Sequence, residues 1–273
     1  MSSPKLSLHK CQYLWYSIID NQYFRDIVNL LKSKYDNEAY KDTIILIGGN
    51  YIGEAIAQYR SKYPEKHLIV YNWEQLCDGN QWLNIPSYCQ DILKADEIWD
   101  YDPLNSDYLK IVTGRTANAI HKFDYFPELE RGIVSVEKDI DVLFVGLLNQ
   151  RRAAILSDFH AKTYDEFNIV AAMGLSVDAL DTYIARSKIV INIHGFYPYS
   201  RQEQSRIGLL LANHTCVVSE PSQINHFGPA IVESVDFHES CKQLLTSGMW
   251  REQAERGYSL YKMGIGGGMG NGF

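Results

Sequence analysis

The stretch Asp141-Val142-Leu143-Phe144-Val145-Gly146-Leu147-Leu148-Asn149-Gln150-Arg151-Arg152 reads as a buried strand, a glycine turn and the opening of a helix. Working downstream, the same alternation predicts a strand at Asn168 to Met173, a helix at Val177 to Arg186 and a strand at Lys188 to Ile193. A helix at Gln202 to Asn213, a strand at Cys216 to Ser219 and a last strand at Ala230 to Val235 follow, then helices near His238 to Leu245 and Trp250 to Tyr261. Upstream, strands at Thr43 to Ile47, His67 to Tyr71 and Glu97 to Asp100 alternate with helices at Tyr51 to Tyr63, Ser87 to Lys94 and Leu104 to Val112, and Ala117 to Tyr125 closes that series. Strands and helices alternating at this spacing imply parallel sheets covered on both faces.

The pattern pauses at the polar stretch Pro127 to Lys138, where the domain boundary is expected. The fold class is therefore α/β, with two doubly wound halves at 1–130 and 138–262. The tail at 263–273 is too glycine-rich to hold a helix or pack a core. A length of 273 residues suits two domains of ordinary size. A hydrophobic fraction of 46% with 22% charged residues is that of a folding chain rather than a disordered one.

No apolar run approaches the roughly 18 to 20 residues that span a bilayer, and Met1 to Lys10 lacks the apolar centre of a signal peptide, so the cytosol is the expected location. Five scattered cysteines, none in a C-x-x-C pair, predict neither a disulfide framework nor a zinc site. A formal charge of −7 argues against broad non-specific nucleic-acid binding, while leaving room for a local basic patch such as Arg151 with Arg152.

That arginine pair opens a helix, where free backbone N–H groups and the helix dipole already favour an anion and repel a cation. Arginine there needs a reason, and a diphosphate held by charge-assisted contacts supplies one. A solvated pair of surface charges is the plainer alternative. The second constellation is Ser187 to Gly195, with His194 just past one buried strand, then Glu203 and Arg206, then Val217-Val218-Ser219-Glu220 just past the next strand. Residues at the carboxyl ends of parallel strands line the edge where open α/β sheets bind ligands. Glu203 and Arg206, three apart at a helix start, share a face and could meet one ligand or each other. In the first half, Glu74 and Asp100 follow strands at the corresponding edge, and Trp73 beside Glu74 could stack on a sugar or pack in the core. Asp100-Tyr101-Asp102 has the spacing of a metal-binding carboxylate pair, but lies where Asp102 reads better as the cap of the helix from Leu104. No metal is therefore expected.

Element order and these residues resemble the two-Rossmann-domain glycosyltransferases of GT-B architecture, and more narrowly a group of short bacterial and viral members. The segments that carry the resemblance are Ala95 to Tyr101, Asp139 to Phe144 with Arg151-Arg152, and Ser187 to His194 followed by Glu203, Arg206 and Val217 to Glu220, within a likeness covering about residues 40 to 250. It implies two Rossmann-like domains facing a cleft, the C-terminal one holding a nucleotide sugar and the N-terminal one the acceptor. Donor contacts are implied for Gly146, Asn149, Arg151, Arg152, His194, Glu203, Arg206, Ser219 and Glu220, with Glu203 also among the catalytic candidates. Many retaining members carry a second glutamate, which binds the donor ribose; counted from Glu203 that position is Leu211, so Glu220 could replace it.

The resulting expectation is transfer of a hexose from a nucleoside-diphosphate sugar, UDP being the favoured nucleotide, with no metal required. An inverting enzyme would need a base for the acceptor hydroxyl, with Glu74 first and Asp100 second. The acceptor is either a surface glycan or a hydroxymethylated base in viral DNA. A base-directed enzyme would flip its target with an aromatic wedge, for which Trp82, Tyr88 and Tyr197 to Arg201 are candidates. A non-catalytic nucleotide-binding module is the rival from another class, favoured by the missing second glutamate. A dinucleotide-dependent oxidoreductase fits less well, because Gly48-Gly49-Asn50-Tyr51-Ile52-Gly53 matches G-x-G-x-x-G poorly.

Overall fold

The computed structural model describes residues 7–18, 24–49, 51–78, 80, 83–120, 123–132, 136–163, 165–195 and 201–264. It divides into two compact units, Met1–Phe123 and Asp124–Phe273. The break precedes the polar stretch of the sequence because that stretch is tied to the second unit. Asn213 donates to the Leu129 carbonyl at 2.8 Å and accepts from the Arg131 amide at 3.1 Å, and the Glu130 carboxylate takes the Tyr258 hydroxyl at 2.7 Å.

The first unit is a sheet in sequential order: β1 (Ser7–Lys10), β2 (Trp15–Ile18), β3 (Thr43–Ile47), β4 (His67–Asn72), β5 (Glu97–Asp100) and β6 (Ala119–Ile120). β1 runs antiparallel to β2, and the remaining pairs are parallel. The helices are α1 (Arg25–Tyr35), α2 (Ile52–Lys62), α3 (Ile85–Ile92) and α4 (Pro103–Thr113). Strand side chains alternate between faces. Ile44, Leu46, Leu68, Val70 and Ile98 form one core with Ile56 of α2, Cys89 of α3 and Leu109 of α4. Trp99 points to the other face, where Tyr35 at the end of α1 lies against it with ring centroids 4.4 Å apart. The same alternation places Asn72 and Asp100, register partners at the ends of β4 and β5, on the α3–α4 face.

β1, β2 and α1 were not foreseen. The two strands are only four residues each, too short for alternation to stand out. α1 does carry a helical signal, since Ile27, Val28, Leu30 and Leu31 are all buried. The connecting turn is held by Asp36, whose carboxylate accepts from the amides of Gln12, Tyr13 and Leu14 at 3.0, 2.8 and 2.9 Å.

In the second unit all strands are parallel, in the order β11 (Val232–Glu233), β10 (Cys216–Ser219), β9 (Ser187–Asn192), β7 (Ile140–Val145), β8 (Ile169–Ala172). The chain leaves β7 for β8 on one side and then returns to place β9 on the other. The strand order thus reverses between β7 and β9, and in such sheets ligands bind beyond the carboxyl ends of the strands at that reversal. The helices are α5 (Gln150–Lys162), α6 (Val177–Arg186), α7 (Gln204–Ala212), α8 (Phe237–Ser247) and α9 (Trp250–Lys262). Val142, Phe144, Ile189, Ile191, Cys216 and Val218 pack with Phe159, Phe237, Cys241 and Trp250 into the unit's main core.

Candidate functional site

At the reversal, β7 is followed by Gly146, whose φ of 156° falls in a region that favours glycine. A side chain there would press on Arg206 Nη2 and Phe144 at 3.3 Å, with Arg152 Nη1 at 3.6 Å. The turn leads to Asn149, the N-cap of α5, whose side chain accepts from the Arg152 amide at 2.9 Å and donates to the Gly195 carbonyl at 2.7 Å. One residue thus starts the helix and ties it to the end of β9.

Both arginines of the opening turn face the protein rather than open solvent. Arg151 forms a two-pronged ion pair with Glu220, with one contact at 2.9 Å, and donates to the His194 carbonyl at 2.9 Å. Arg152 is 7% exposed. It donates to the Ile193 and Leu147 carbonyls at 2.9 Å each and to Glu203 at 3.4 Å. Burial, with Arg206 close by, lowers its pKa to about 10, which leaves it charged at neutral pH. The cost of placing cations at a helix N-terminus is therefore offset by carbonyls from the end of β9 and by two carboxylates.

His194 is fully buried. Nδ1 lies 2.7 Å from Glu203 Oε2 and Nε2 lies 3.1 Å from the Glu220 carbonyl. Both partners accept, an arrangement that a protonated ring donating from both nitrogens satisfies. Burial alone would pull its pKa down, but the Glu203 carboxylate reverses the direction and raises it. Burial would push Glu203 up, and the imidazolium beside it instead lowers it to about 2. Asn192 completes the cluster, donating to Glu203 at 2.9 Å and Ser219 Oγ at 3.0 Å and accepting from Arg206 Nη1 at 2.8 Å.

Arg206 differs from its neighbours: among the described residues its Nε and Nη2 make no hydrogen bond, and Nη2 lies toward Gly146. Glu203 and Arg206 do not pair with each other as i, i+3 neighbours; Glu203 serves His194, Arg152 and Asn192. With His194 protonated, Arg151, Arg152, Arg206 and His194 face Glu203 and Glu220, a surplus of two positive charges in a largely buried cluster. Such a surplus suits a diphosphate.

All nine residues implied as donor contacts thus gather at one strand edge. Their donors are not equally available. Both carboxylate oxygens of Glu220 are taken by Arg151 and the His194 amide, and Ser219 Oγ donates to the Glu220 carbonyl at 2.9 Å. Leu211 is fully buried in the core, so no carboxylate occupies the position where many retaining enzymes hold the ribose.

The first unit holds a second polar group at the ends of β4 and β5. Asp100 is fully buried and accepts from Asn72 at 2.6 Å, the Asp102 amide at 2.9 Å and Asn105 at 3.0 Å. Burial raises its pKa to about 7. Asp102 caps α4, accepting from the Leu104 amide at 2.9 Å. Glu74 is half-buried, its carboxylate makes no hydrogen bond to a described residue, and burial raises its pKa. Trp73 packs among Tyr71, Tyr101 and Phe123, with ring centroids 5.9, 5.1 and 6.3 Å away. Tyr88 is buried with its hydroxyl on Asn72 Oδ1 at 2.8 Å, which removes it as a wedge against a nucleic-acid base. Trp82 and residues 197–200 lie outside the described residues, as does most of the tail. No group of three metal-ligating side chains occurs among the described residues, and no described helix is long and apolar enough to cross a membrane.

No protein-family model and no curated protein sequence matches this chain. Solved structures do match in fold. Sucrose-phosphate synthase from Thermosynechococcus elongatus aligns over 88% of this chain and 73% of its own, with 13% identity and a TM-score of 0.57. HepE from Anabaena, in complex with UDP, aligns over 88% and 78%, with 9% identity and a TM-score of 0.53. A variant of S. aureus TarM in complex with fondaparinux, alpha-GlcNAc-glycerol and UDP aligns over 87% of this chain, which spans 54% of TarM, at 10% identity and a TM-score of 0.52. The fold is that of the GT-B glycosyltransferases, built of Rossmann-like α/β units.

Proposed function

We propose that this protein is a glycosyltransferase that takes its sugar from a nucleoside diphosphate, with UDP as the nucleotide and a glycan hydroxyl as the acceptor. The observation that carries the reading is the surplus of two positive charges gathered at the strand reversal of the second unit, with Nε and Nη2 of Arg206, which make no hydrogen bond to a described residue, beside Gly146. UDP in the HepE and TarM structures, which share the fold, supports the choice of nucleotide.

In this reading Arg206, Arg152 and His194 take up the charge that builds on the diphosphate as the glycosyl bond breaks. Fixed cations in a largely buried site do so without reorganising at the moment of reaction. Arg151 and Glu220 brace the site, and Asn149 and Gly146 shape the turn against which the phosphates lie. Glu74, whose carboxylate makes no hydrogen bond to a described residue and is raised in pKa by burial, takes the proton of the acceptor hydroxyl. Leu211 favours a second reading, nucleotide binding without transfer, because it leaves the usual ribose position apolar. Incubation with UDP-glucose and UDP-GlcNAc over a glycan panel separates the two: sugar transfer or donor hydrolysis supports the enzyme, and tight UDP binding with neither supports the module.

A further inference from the structure

The turn after β7 joins two unlike surroundings. Its backbone meets the charged cluster: the Leu147 carbonyl accepts from Arg152 Nη1 at 2.9 Å, and Gly146 lies beside Arg206 Nη2. Its side chains are apolar and stand in solvent, with Leu147 60% and Leu148 37% exposed. The turn after β8 adds Met173, 52% exposed. The two turns are neighbours, because Val145 and Ala172 are register partners and the Gly146 amide donates to the Ala172 carbonyl at 3.2 Å. A lone apolar side chain in water needs no explanation, but three on adjoining turns at a ligand-binding edge do.

The same turns carry uncommitted backbone. Among the described residues, nothing accepts from the amides of Leu147, Leu148 and Met173. An apolar ledge with a few polar groups to hand is the usual lining of a small-molecule site. On the other side of β7 the strand ends are built differently: past β9 and β10, Asn192, His194, Glu203 and Ser219 hydrogen-bond within their own cluster. A diphosphate held beside Gly146 therefore meets mutually satisfied polar groups on one side and, on the other, an apolar ledge whose amides are open to a ligand.

We infer that Leu147, Leu148 and Met173 form the seat of the nucleobase, taking the flat apolar face of a uracil ring while amides of the same turns meet its carbonyl oxygens. This rests on the proposed donor site. The donor is then divided between two kinds of surface. Arg206 and Arg152 hold the phosphates by charge, and the ledge holds the base by apolar contact, which removes ring and side-chain surface from water together.

Leu148→Asn combined with Met173→Gln tests the idea in the full chain; both side chains are exposed, so the melt should stay as in the wild type. Calorimetric titration compares UDP with inorganic pyrophosphate, which carries the diphosphate without ribose or base. The double variant should bind UDP about 5- to 30-fold more weakly and pyrophosphate as the wild type does. The Met173 methyl signal, assigned in a 13C-methyl-methionine sample by its loss in Met173→Gln, should shift on adding UDP and stay in place with pyrophosphate. An unchanged affinity for UDP, or equal losses for UDP and pyrophosphate, would overturn the inference and leave the phosphate site standing. So would a Met173 signal that moves with UDP-glucose but not with UDP, since the hexose would then occupy the ledge. A wild type that binds neither UDP nor pyrophosphate would instead refute the donor site itself, and the base seat with it.

Discussion

Glu220→Gln should weaken the fold and tighten UDP binding at the same time. In the wild type the Glu220 carboxylate accepts three hydrogen bonds, two from Arg151 and one from the His194 amide. Glutamine keeps one accepting oxygen, so part of the Arg151 guanidinium is released and the positive surplus of the cluster rises from two to three. The lost contacts should cost about 1–3 kcal/mol of stability. A charge-assisted bond from arginine to phosphate is worth about 1.5–3 kcal/mol. The Arg151 side chain is 27% exposed and that of Glu220 13%, so solvent screening reduces the gain to about 1–2 kcal/mol. That corresponds to a Kd for UDP about 5- to 30-fold lower. Calorimetric titration with UDP at fixed salt, alongside a thermal melt, measures both quantities. If Glu220 instead touches the nucleotide itself, as a substitute for the absent ribose glutamate, the same variant binds UDP more weakly, and the bracing role assigned to it here is refuted.

Gly146→Ala should cost about 1–3 kcal/mol by forcing a side chain into a backbone region suited to glycine. It should also weaken UDP binding by crowding Arg206 and Arg152; a melt and an affinity matching the wild type would refute this. The His194–Glu203 pair makes a two-sided pH prediction. His194 is raised from 6.5, so its contribution is complete below 6.5 and is lost as pH climbs through the higher folded-state value. Glu203 is lowered from 4.5 to about 2, so its contribution is complete above 4.5 and is lost as pH falls through about 2. The difference in melting temperature between wild type and Glu203→Gln should therefore be widest between 4.5 and 6.5 and narrow on either side; a difference flat in pH would contradict the charged pair.

The alternating α/β plan was legible because parallel strands buried on both faces leave β-branched runs such as Thr43 to Ile47, which is buried at every position. The strand ends in the second half were legible for the same reason, and they place Gly146, His194 and Glu220 at one edge. The reversal of strand order between β7 and β9 was not, since sequence spacing carries no record of which side β8 takes. Nor were the partners of the arginines: Arg151 reaches Glu220 and Arg152 reaches Ile193, contacts between residues far apart in the chain. Arg206, named with Arg151 and Arg152 as a donor contact, differs from them in that its Nε and Nη2 make no hydrogen bond to a described residue, which the sequence does not show. Asn72 and Asn105 left no mark in the sequence either, because an asparagine near a strand end or in a helix usually means a turn or a solvated face, and their meeting at buried Asp100 is visible only in the fold.

The most direct test of the account is a titration of the full chain with UDP, wild type against Arg206→Ala. Arg206 makes a single hydrogen bond to a described residue, to Asn192, so its removal should leave the melt nearly unchanged. The account predicts that the wild type binds UDP and that the variant loses about 1.5–3 kcal/mol of binding, roughly 10- to 150-fold in Kd. A wild type that does not bind UDP, or a variant that binds it as tightly, would contradict the claim that the second unit grips a diphosphate at its strand reversal.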